Sequence, residues 1–233
     1  MRRSVTVSFS TRTDGDLRIG ADPHELVERR ARLAPGEWTW LRQVHGAEVV
    51  VVDQPGAHAG AEADAAVTDV PDAVLAVHTA DCVPVLLDGG TVVGAAHAGW
   101  RGVVGGVLEQ TVEAMRALGA GRVTAHVGPH IRARCYEFGA DELDEVAARC
   151  GDAVRARTAW DTTALDLTAA VHALLEPLGV DVVDHGGCTA CEPRRCFSHR
   201  ARADEGRAAA TIVLRDAPPS GTGSGSVAPE AGA

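Results

Sequence analysis

The sequence predicts an α+β fold with mixed sheets, and three observations carry that prediction. Short β-like runs are joined by tight turns, as where Asp88-Gly89-Gly90 links VPVLL to TVVGAAHA in hairpin fashion. Helical periodicity comes in separate blocks inserted between groups of strands, which is the α+β pattern and not a regular βαβ winding. Neither GxGxxG nor GxxxxGK[ST] occurs, so dinucleotide-binding and P-loop architectures have no support.

The elements follow in chain order. Residues 5–11 read as a first strand. Pro23 to Leu33 reads as a helix, with Asp22 placed to cap it and proline at the first helical position. Strand signals follow at 38–44, 48–52, 73–78, 83–87 and 92–97. After Gly102, the four-residue spacing of Val103, Val107, Thr111 and Met115 predicts a helix that Gly119 closes. A short strand is expected at 123–127 and an acidic helix at 141–150. A helix capped by Asp166 runs to about Leu178, where Pro177 and Gly179 stop it. Strands at 180–185 and 208–214 end the folded part. Residues 1–216 are expected to form one catalytic domain, and APPSGTGSGSVAPEAGA (217–233) a disordered low-complexity tail.

Composition narrows the function classes. With 233 residues and 45% hydrophobic content the chain can bury one sizeable core. No apolar run approaches the ~18 residues of a membrane span, and the N-terminus lacks a signal-peptide core, so a cytoplasmic protein is expected. The formal charge is −10, from 32 acidic against 22 basic residues, and every fixed cation is an arginine because no lysine occurs. Such a chain lacks the basic surface that nucleic acid requires, but one or two arginines suffice for a small anion. In a reducing compartment the six cysteines read as buried thiols, metal ligands or nucleophiles rather than disulfides.

Three polar groups stand where core strands should end: His45 in QVHG, Cys82 in TADC and His97 in AHAGWRG. A single strand-end histidine is ordinarily a hydrogen-bonded core residue, and a single cysteine a small hydrophobe. Converging, the three would make a His₂Cys site with a fourth position open for water or substrate, as catalytic zinc requires. The same residues also permit a Cys–His pair with Cys82 as nucleophile, and spacing does not choose between the two. Asp81, next to Cys82, is a candidate to orient a ligand or touch substrate. The turn GWRG opens a helix, so Gly99, Arg101 and Gly102 are candidates for a phosphate site, against the plainer reading of a turn whose glycines serve packing. A second cluster, CTACEPRRCFSHR, offers Cys188 and Cys191 with Cys196 and His199 as partners for a structural metal, His185 lying nearby; reduced, partly exposed thiols are the plainer reading. Cys150 reads as filler in a helix, and His24, His58 and His172 as solvated.

QVHG (43–46), ADAAVTD (63–69), TADCVPVLL (79–87), AAHAGWRG (95–102), VGPHIRARCYEFG (127–139), DL (166–167) and CT with FSHR (188–200) together resemble the laccase-domain or multicopper polyphenol oxidase family. Members of that family are now mostly regarded as zinc-dependent purine nucleoside phosphorylases. The resemblance runs from Val5 to about Leu214. It implies a layered α+β sandwich of mixed β-sheets flanked by helices, similar to a toxin with a Cys–His hydrolase site. It also implies a metal held by His45, Cys82 and His97, phosphorolysis of adenosine, inosine and methylthioadenosine, and deamination of adenosine. Zinc is the implied cofactor, with copper able to bind in vitro, and the implied partners are a nucleoside and inorganic phosphate, acted on by a monomer or dimer without nucleic acid or membrane. Three departures stand out: His130 replaces an expected small residue, Cys191 and Cys196 look like additions, and arginine must serve wherever relatives use lysine. The alternatives are a copper-dependent polyphenol oxidase, a Cys82-dependent amide hydrolase acting on a cell-wall precursor, and a nucleoside-binding protein without turnover.

Overall fold

The structure, a computed structural model, describes residues 3–216; the expected tail at 217–233 lies outside them. In chain order the elements are β1 (Arg3–Phe9), α1 (Pro23–Leu33), β2 (Trp38–Trp40), β3 (Val49–Val51), β4 (Ala65–Thr68), β5 (Val74–Thr79), β6 (Val83–Asp88) and β7 (Val93–Ala98). There follow α2 (Trp100–Gly105), α3 (Val107–Ala117), β8 (Thr124–Val127), α4 (Ala140–Cys150), β9 (Arg155–Arg157) and β10 (Thr163–Leu165). The last are α5 (Leu167–Leu175), β11 (Asp181–Asp184), α6 (His199–Arg202) and β12 (Ala208–Asp216). No helix among them is long and apolar enough to cross a membrane.

Two mixed sheets stack. One has the order β1-β12-β5-β2, the other β11-β8-β6-β7-β4-β3, and β9 and β10 pair separately. The pleat of the central strands explains the stacking, because successive side chains face opposite ways. Leu75 and Val77 of β5, Ile212 of β12, Leu86 of β6 and Ala95 of β7 fill the layer between the sheets. The alternate residues Val74, Ala76, Ala209 and Val213 meet Leu17 and Leu26 of the α1 side. On the opposite outer face, Ala65, Val83, Val85 and Ala96 pack against Val103, Leu108 and Met115 of α2 and α3 and against Leu143 and Val171 of α4 and α5. The result is helix, sheet, sheet, helices. This is the α+β class with mixed sheets that the sequence predicts, arranged in the layers that the family resemblance implies.

Several punctuation residues act as read. Asp22 accepts hydrogen bonds from the His24 and Glu25 amides at the start of α1, and Asp166 accepts from the Ala169 amide at the start of α5. The hairpin at Asp88-Gly89-Gly90 joins antiparallel β6 and β7. Other boundaries differ for physical reasons. The run expected as one strand at 38–44 stops at Trp40, because the chain then turns and His45 takes a left-handed φ of 61°. The helix expected after Gly102 starts at Trp100 and breaks at Gly106, whose φ is 89°. Strand β4 was hidden in ADAAVTD: all four of its residues are buried, so it shows no polar–apolar alternation. The β9–β10 hairpin, with the pattern RAR and TAL, is too short to announce itself.

Candidate functional site

Strand register brings the site together. In the antiparallel pair of β6 and β7, Pro84 lies opposite His97 and Val83 opposite Ala98, so Cys82, one residue before β6, arrives beside His97. In the pair of β4 and β7, Ala65 lies opposite Ala96, so Asp64, one residue before β4, arrives opposite His97. The His97 amide donates to the Asp64 carbonyl at 2.8 Å, extending that ladder by one rung. Cys82 and His97 share pleat parity with Leu86 and Ala95, which places them at the end of the layer between the sheets. His45 comes from the loop between β2 and β3.

One buried carboxylate organises the three. Asp64 is fully buried and accepts from the amides of Val44, His45 and Gly46 at 3.1, 3.0 and 2.7 Å, and from His97 Nδ1 at 2.8 Å. It therefore fixes the loop that carries His45 and also the ring of His97, whose Nε2 is left to act as a ligand. Burial works against the Asp64 charge, but the bonds from His97, Gly46 and Val44 outweigh it and hold the carboxyl below its usual value. The ligand atoms of His45, Cys82 and His97 all lie within 4.8 Å of one another. Cys82 Sγ is 3.8 Å from His45 Nε2, and the two imidazole rings meet edge-on with centroids 4.9 Å apart.

The cluster's own groups polarise one another. Burial resists both charges, yet the neighbouring imidazoles pull the Cys82 thiol down to about 6, and the thiolate with Asp64 pushes His97 up to about 9. A thiolate and imidazoles within one small volume are the donor set that a borderline-soft divalent cation takes. Gly99 leaves the room: a Cβ there would stand 2.8 Å from His45 Cδ2 and 3.1 Å from Cys82 Sγ. The donors and the space fit a metal ion.

The cluster borders a cleft of about 590 Å³ lined by Gln43, Thr79, His199 and three arginines, Arg18, Arg42 and Arg207. Arg18 and Arg42 are paired with Glu205 and Glu62, whereas Arg207 bonds through Nη1 only to the carbonyls of Asp204, Glu205 and Gly206. His78, on β5, also lines this cleft, and neither of its ring nitrogens has a hydrogen-bond partner among the described residues. Burial and the nearby Arg30 charge hold it neutral, pushed down to about 3. A buried group with a donor and an acceptor both unused is costly unless something supplies the partner. The sequence offered one signal for it, a histidine two positions after Ala76 on the same face of an apolar strand.

Other expected residues fall elsewhere. The carboxylate bonded to a histidine of the cluster is Asp64, not Asp81. With φ at 115°, Asp81 turns to accept the Thr189 hydroxyl at 2.6 Å and the Arg200 amide at 2.7 Å, tying TADC to CT and FSHR. Gly102 packs against the Gly46 carbonyl, which a Cβ would approach to 2.9 Å. Arg101 lies over the Trp100 ring at 4.4 Å and lines a separate cleft with Glu137, Glu142 and Arg200. The expected cysteine grouping also changes. Cys188 and Cys191 meet Cys135 rather than Cys196 and His199, with all three sulfurs within 4.8 Å. Cys196 is buried beside Phe197, and His199 faces the 590 Å³ cleft. His130, the departure in VGPHIRARCYEFG, is fully buried, with Nδ1 against the Gly128 carbonyl and Nε2 against the Thr168 hydroxyl.

Comparison with known proteins agrees with this architecture. Residues 6–215 match the family model described as multi-copper polyphenol oxidoreductase laccase. A Streptomyces griseus protein named purine nucleoside phosphorylase ORF3 is 44% identical over 207 residues, covering 86% of this chain and 83% of that protein. A purine nucleoside phosphorylase of Mycobacterium bovis is 40% identical over 217 residues, covering 88% and 86%. Among solved structures, a Neisseria meningitidis protein of the DUF152 family superposes with a TM-score of 0.80 at 32% identity, over 91% of this chain and 95% of that one. YlmD from Geobacillus stearothermophilus superposes with a TM-score of 0.78 at 28% identity, over 91% and 92%. With the match running nearly end to end of the described residues, the chain belongs to the multi-copper polyphenol oxidoreductase laccase family, whose relatives at 40–44% identity are named purine nucleoside phosphorylases.

Proposed function

We propose that the protein is a zinc-dependent purine nucleoside phosphorylase acting on inosine, adenosine and methylthioadenosine, with adenosine deamination as a second activity in the same cleft. The observation that carries this reading is the convergence of His45, Cys82 and His97, organised by Asp64, on an arginine-lined cleft of nucleoside size. The names of the relatives supply the substrate class.

In phosphorolysis a phosphate oxygen attacks ribose C1′, the C1′–N9 bond breaks with its electron pair on the purine, and the purine takes up a proton. The products are ribose 1-phosphate and the free base. When bound by His45, Cys82 and His97, the metal supplies Lewis-acid charge for phosphate or ribose oxygens and, for deamination, a water of pKa about 7. Arg207, whose guanidinium has no carboxylate partner among the described residues, is the cation assigned to phosphate, with Arg18 and Arg42 adding positive field. Asp64 keeps His97 in one tautomer and one orientation.

The test is incubation with inosine or adenosine, with and without phosphate. Phosphate-dependent release of hypoxanthine or adenine is expected, together with ammonia from adenosine. A zinc-loaded protein that releases no base refutes the reading.

A second reading has one observation in its favour: the 3.8 Å Cys82–His45 contact with a thiol lowered to about 6 suits a nucleophilic cysteine acting on an amide. Metal analysis separates the two. Stoichiometric metal lost in Cys82→Ala supports the phosphorylase, whereas an active metal-free protein rapidly alkylated at Cys82 supports the hydrolase. Copper oxidation of phenols is disfavoured by the donor count, because only two of the ten histidines belong to the cluster.

A further inference from the structure

Cys135, Cys188 and Cys191 take no part in the cleft around His97. Cys135 closes the short turn Ala133–Cys135, while Cys188 and Cys191 lie on the segment that follows β11. Their sulfurs lie within 4.8 Å of one another, with Cys135 and Cys191 3.0 Å apart. No structure-wide accident is needed to hold two such distant segments together, because polar contacts fix both. His130 forms a β-bridge with Cys188, and its carbonyl accepts from the Thr189 amide at 3.1 Å. Arg132 donates from Nε to the Gly187 carbonyl at 3.0 Å and makes a two-pronged bond to Asp184 at 2.7 Å on each side.

The segment itself is wound tightly. The amides of Cys191 and Glu192 both donate to the Cys188 carbonyl, and the Glu192 carboxylate accepts from the Cys188 amide at 2.8 Å. This CxxC turn points two sulfurs the same way, and Cys135 supplies the third from across the gap. Cys188 is buried and Cys191 exposed, and Cys135 borders an open cleft of about 650 Å³, so an ion has a route in. No fourth histidine, cysteine or carboxylate joins the group among the described residues.

We propose that Cys135, Cys188 and Cys191 form a second metal site, a three-thiolate site for a thiophilic closed-shell cation, separate from the cluster of His45, Cys82 and His97. Three soft sulfurs select Zn(II), with water completing a tetrahedron, or Cu(I), which needs no fourth ligand. Binding releases up to three thiol protons to solvent and requires no oxidant or reductant. The ion stitches the turn after His130 to the segment after β11, and its role is to stiffen that junction. The proposal does not depend on which reaction the cleft performs.

The experiment uses the full chain purified anaerobically with reductant. Metal content is measured for the wild type, Cys82→Ala, Cys191→Ser and the double variant, after loading with Zn(II) alone or with Cu(I) alone and gel filtration. The expected result is two equivalents of metal in the wild type, one in each single variant and none in the double variant. Zn(II) retention identifies the four-coordinate form, and retention of Cu(I) without Zn(II) identifies the trigonal form. Cys191 is exposed, so its replacement tests the site with little risk to folding. Loading with Co(II) adds an independent reading, because the sulfur-to-metal charge-transfer band should fall by more than half in Cys191→Ser. A wild type holding one equivalent, lost entirely in Cys82→Ala, overturns the proposal. So does a Cys135–Cys191 disulfide found by mass spectrometry in the anaerobic protein.

Discussion

The cluster of His45, Cys82 and His97 and the cluster of Cys135, Cys188 and Cys191 each bring three soft donors within 4.8 Å, but the fold holds them differently. In the first, two donors sit at the ends of paired strands and a fully buried carboxylate grips both the third donor's loop and one imidazole. In the second, the donors lie on turns and a single β-bridge, one is exposed, and the carboxylate of Glu192 accepts from the Cys188 amide but, among the described residues, none bonds a donor side chain. Strand register fixes positions to fractions of an ångström and cannot drift without moving the sheet. Turns held by a few polar contacts can adjust. The first arrangement suits chemistry, which needs preorganised ligands, and the second suits a clasp.

The largest expected effect comes from removing the organiser of the first cluster. Asp64→Ala strands His97 and three backbone amides without their acceptor, at a cost of about 3–5 kcal/mol. A fall in melting temperature, with loss of bound metal, checks it. The milder Asp64→Asn keeps the volume and part of the hydrogen bonding, so the fold should survive while metal affinity falls about 10–100-fold in chelator competition. Unchanged affinity in Asp64→Asn would remove the contrast between an organised and an unorganised cluster.

Gly99→Ala comes next. The backbone there is extended, with φ −74° and ψ 161°, so alanine adds no backbone strain and the added Cβ acts only on His45 and Cys82. Metal affinity should drop at least ~10-fold, in the range of other disturbances to the ligand surroundings. Gly121→Ala is the control, since nothing lies within 4 Å of its Cβ position, and it should leave affinity unchanged.

These two predictions mark where sequence reading succeeds and where it stops. The three candidate donors were legible because QVHG, TADC and AHAGWRG each put a reactive residue at the end of an apolar run, and the family resemblance grouped them as one ligand set. The α+β class with mixed sheets was legible from the hairpin at Asp88-Gly89-Gly90 and from the separated helical blocks, and the layering followed from the family resemblance. Asp64 was not legible, because its role depends on β4 pairing with β7 in one register, and β4 is a short, fully buried run with no periodic signal. Cys135 was missed as a partner of Cys188 for a similar reason: 53 positions separate them, and only the contacts of His130 and Arg132 bring the segments together. Adjacency in sequence favoured Asp81 and Cys196, and tertiary structure overrode it at both positions.

Two buried neutral histidines, His78 and His130, set an acid limit on stability. In the native protein His78 stays neutral down to about pH 3 and His130 to about pH 4, both held down chiefly by burial. In the unfolded chain a histidine takes up its proton near pH 6.5. The unfolded state therefore binds more protons at these two positions below that pH, so their contribution to stability is lost as pH falls from about 6.5 towards 3 and does not change above about 7.5. His78→Leu should flatten part of that loss in urea titrations at pH 4 and 7. If the slope is unchanged in His78→Leu, burial of a neutral imidazole is not its source.

The smallest expected effect belongs to Arg101, and its smallness is informative. GWRG has the features of an anion site, a glycine turn opening a helix with an arginine inside it, yet α2 has six residues and the guanidinium stacks on Trp100 beside Glu137 and Glu142. Arg207 borders the cleft that His45 and His97 border, and among the described residues its guanidinium has only carbonyl partners. Arg207→Ala should raise KM for phosphate about 10-fold or more, the loss of a charge-assisted hydrogen bond of about 1.5–3 kcal/mol. Arg101→Ala should change it less than about twofold, the scale of a surface side chain. If the two variants exchange places, phosphate enters from the Trp100 side, and the glycines of GWRG serve the anion as well as the packing of His45 and Cys82.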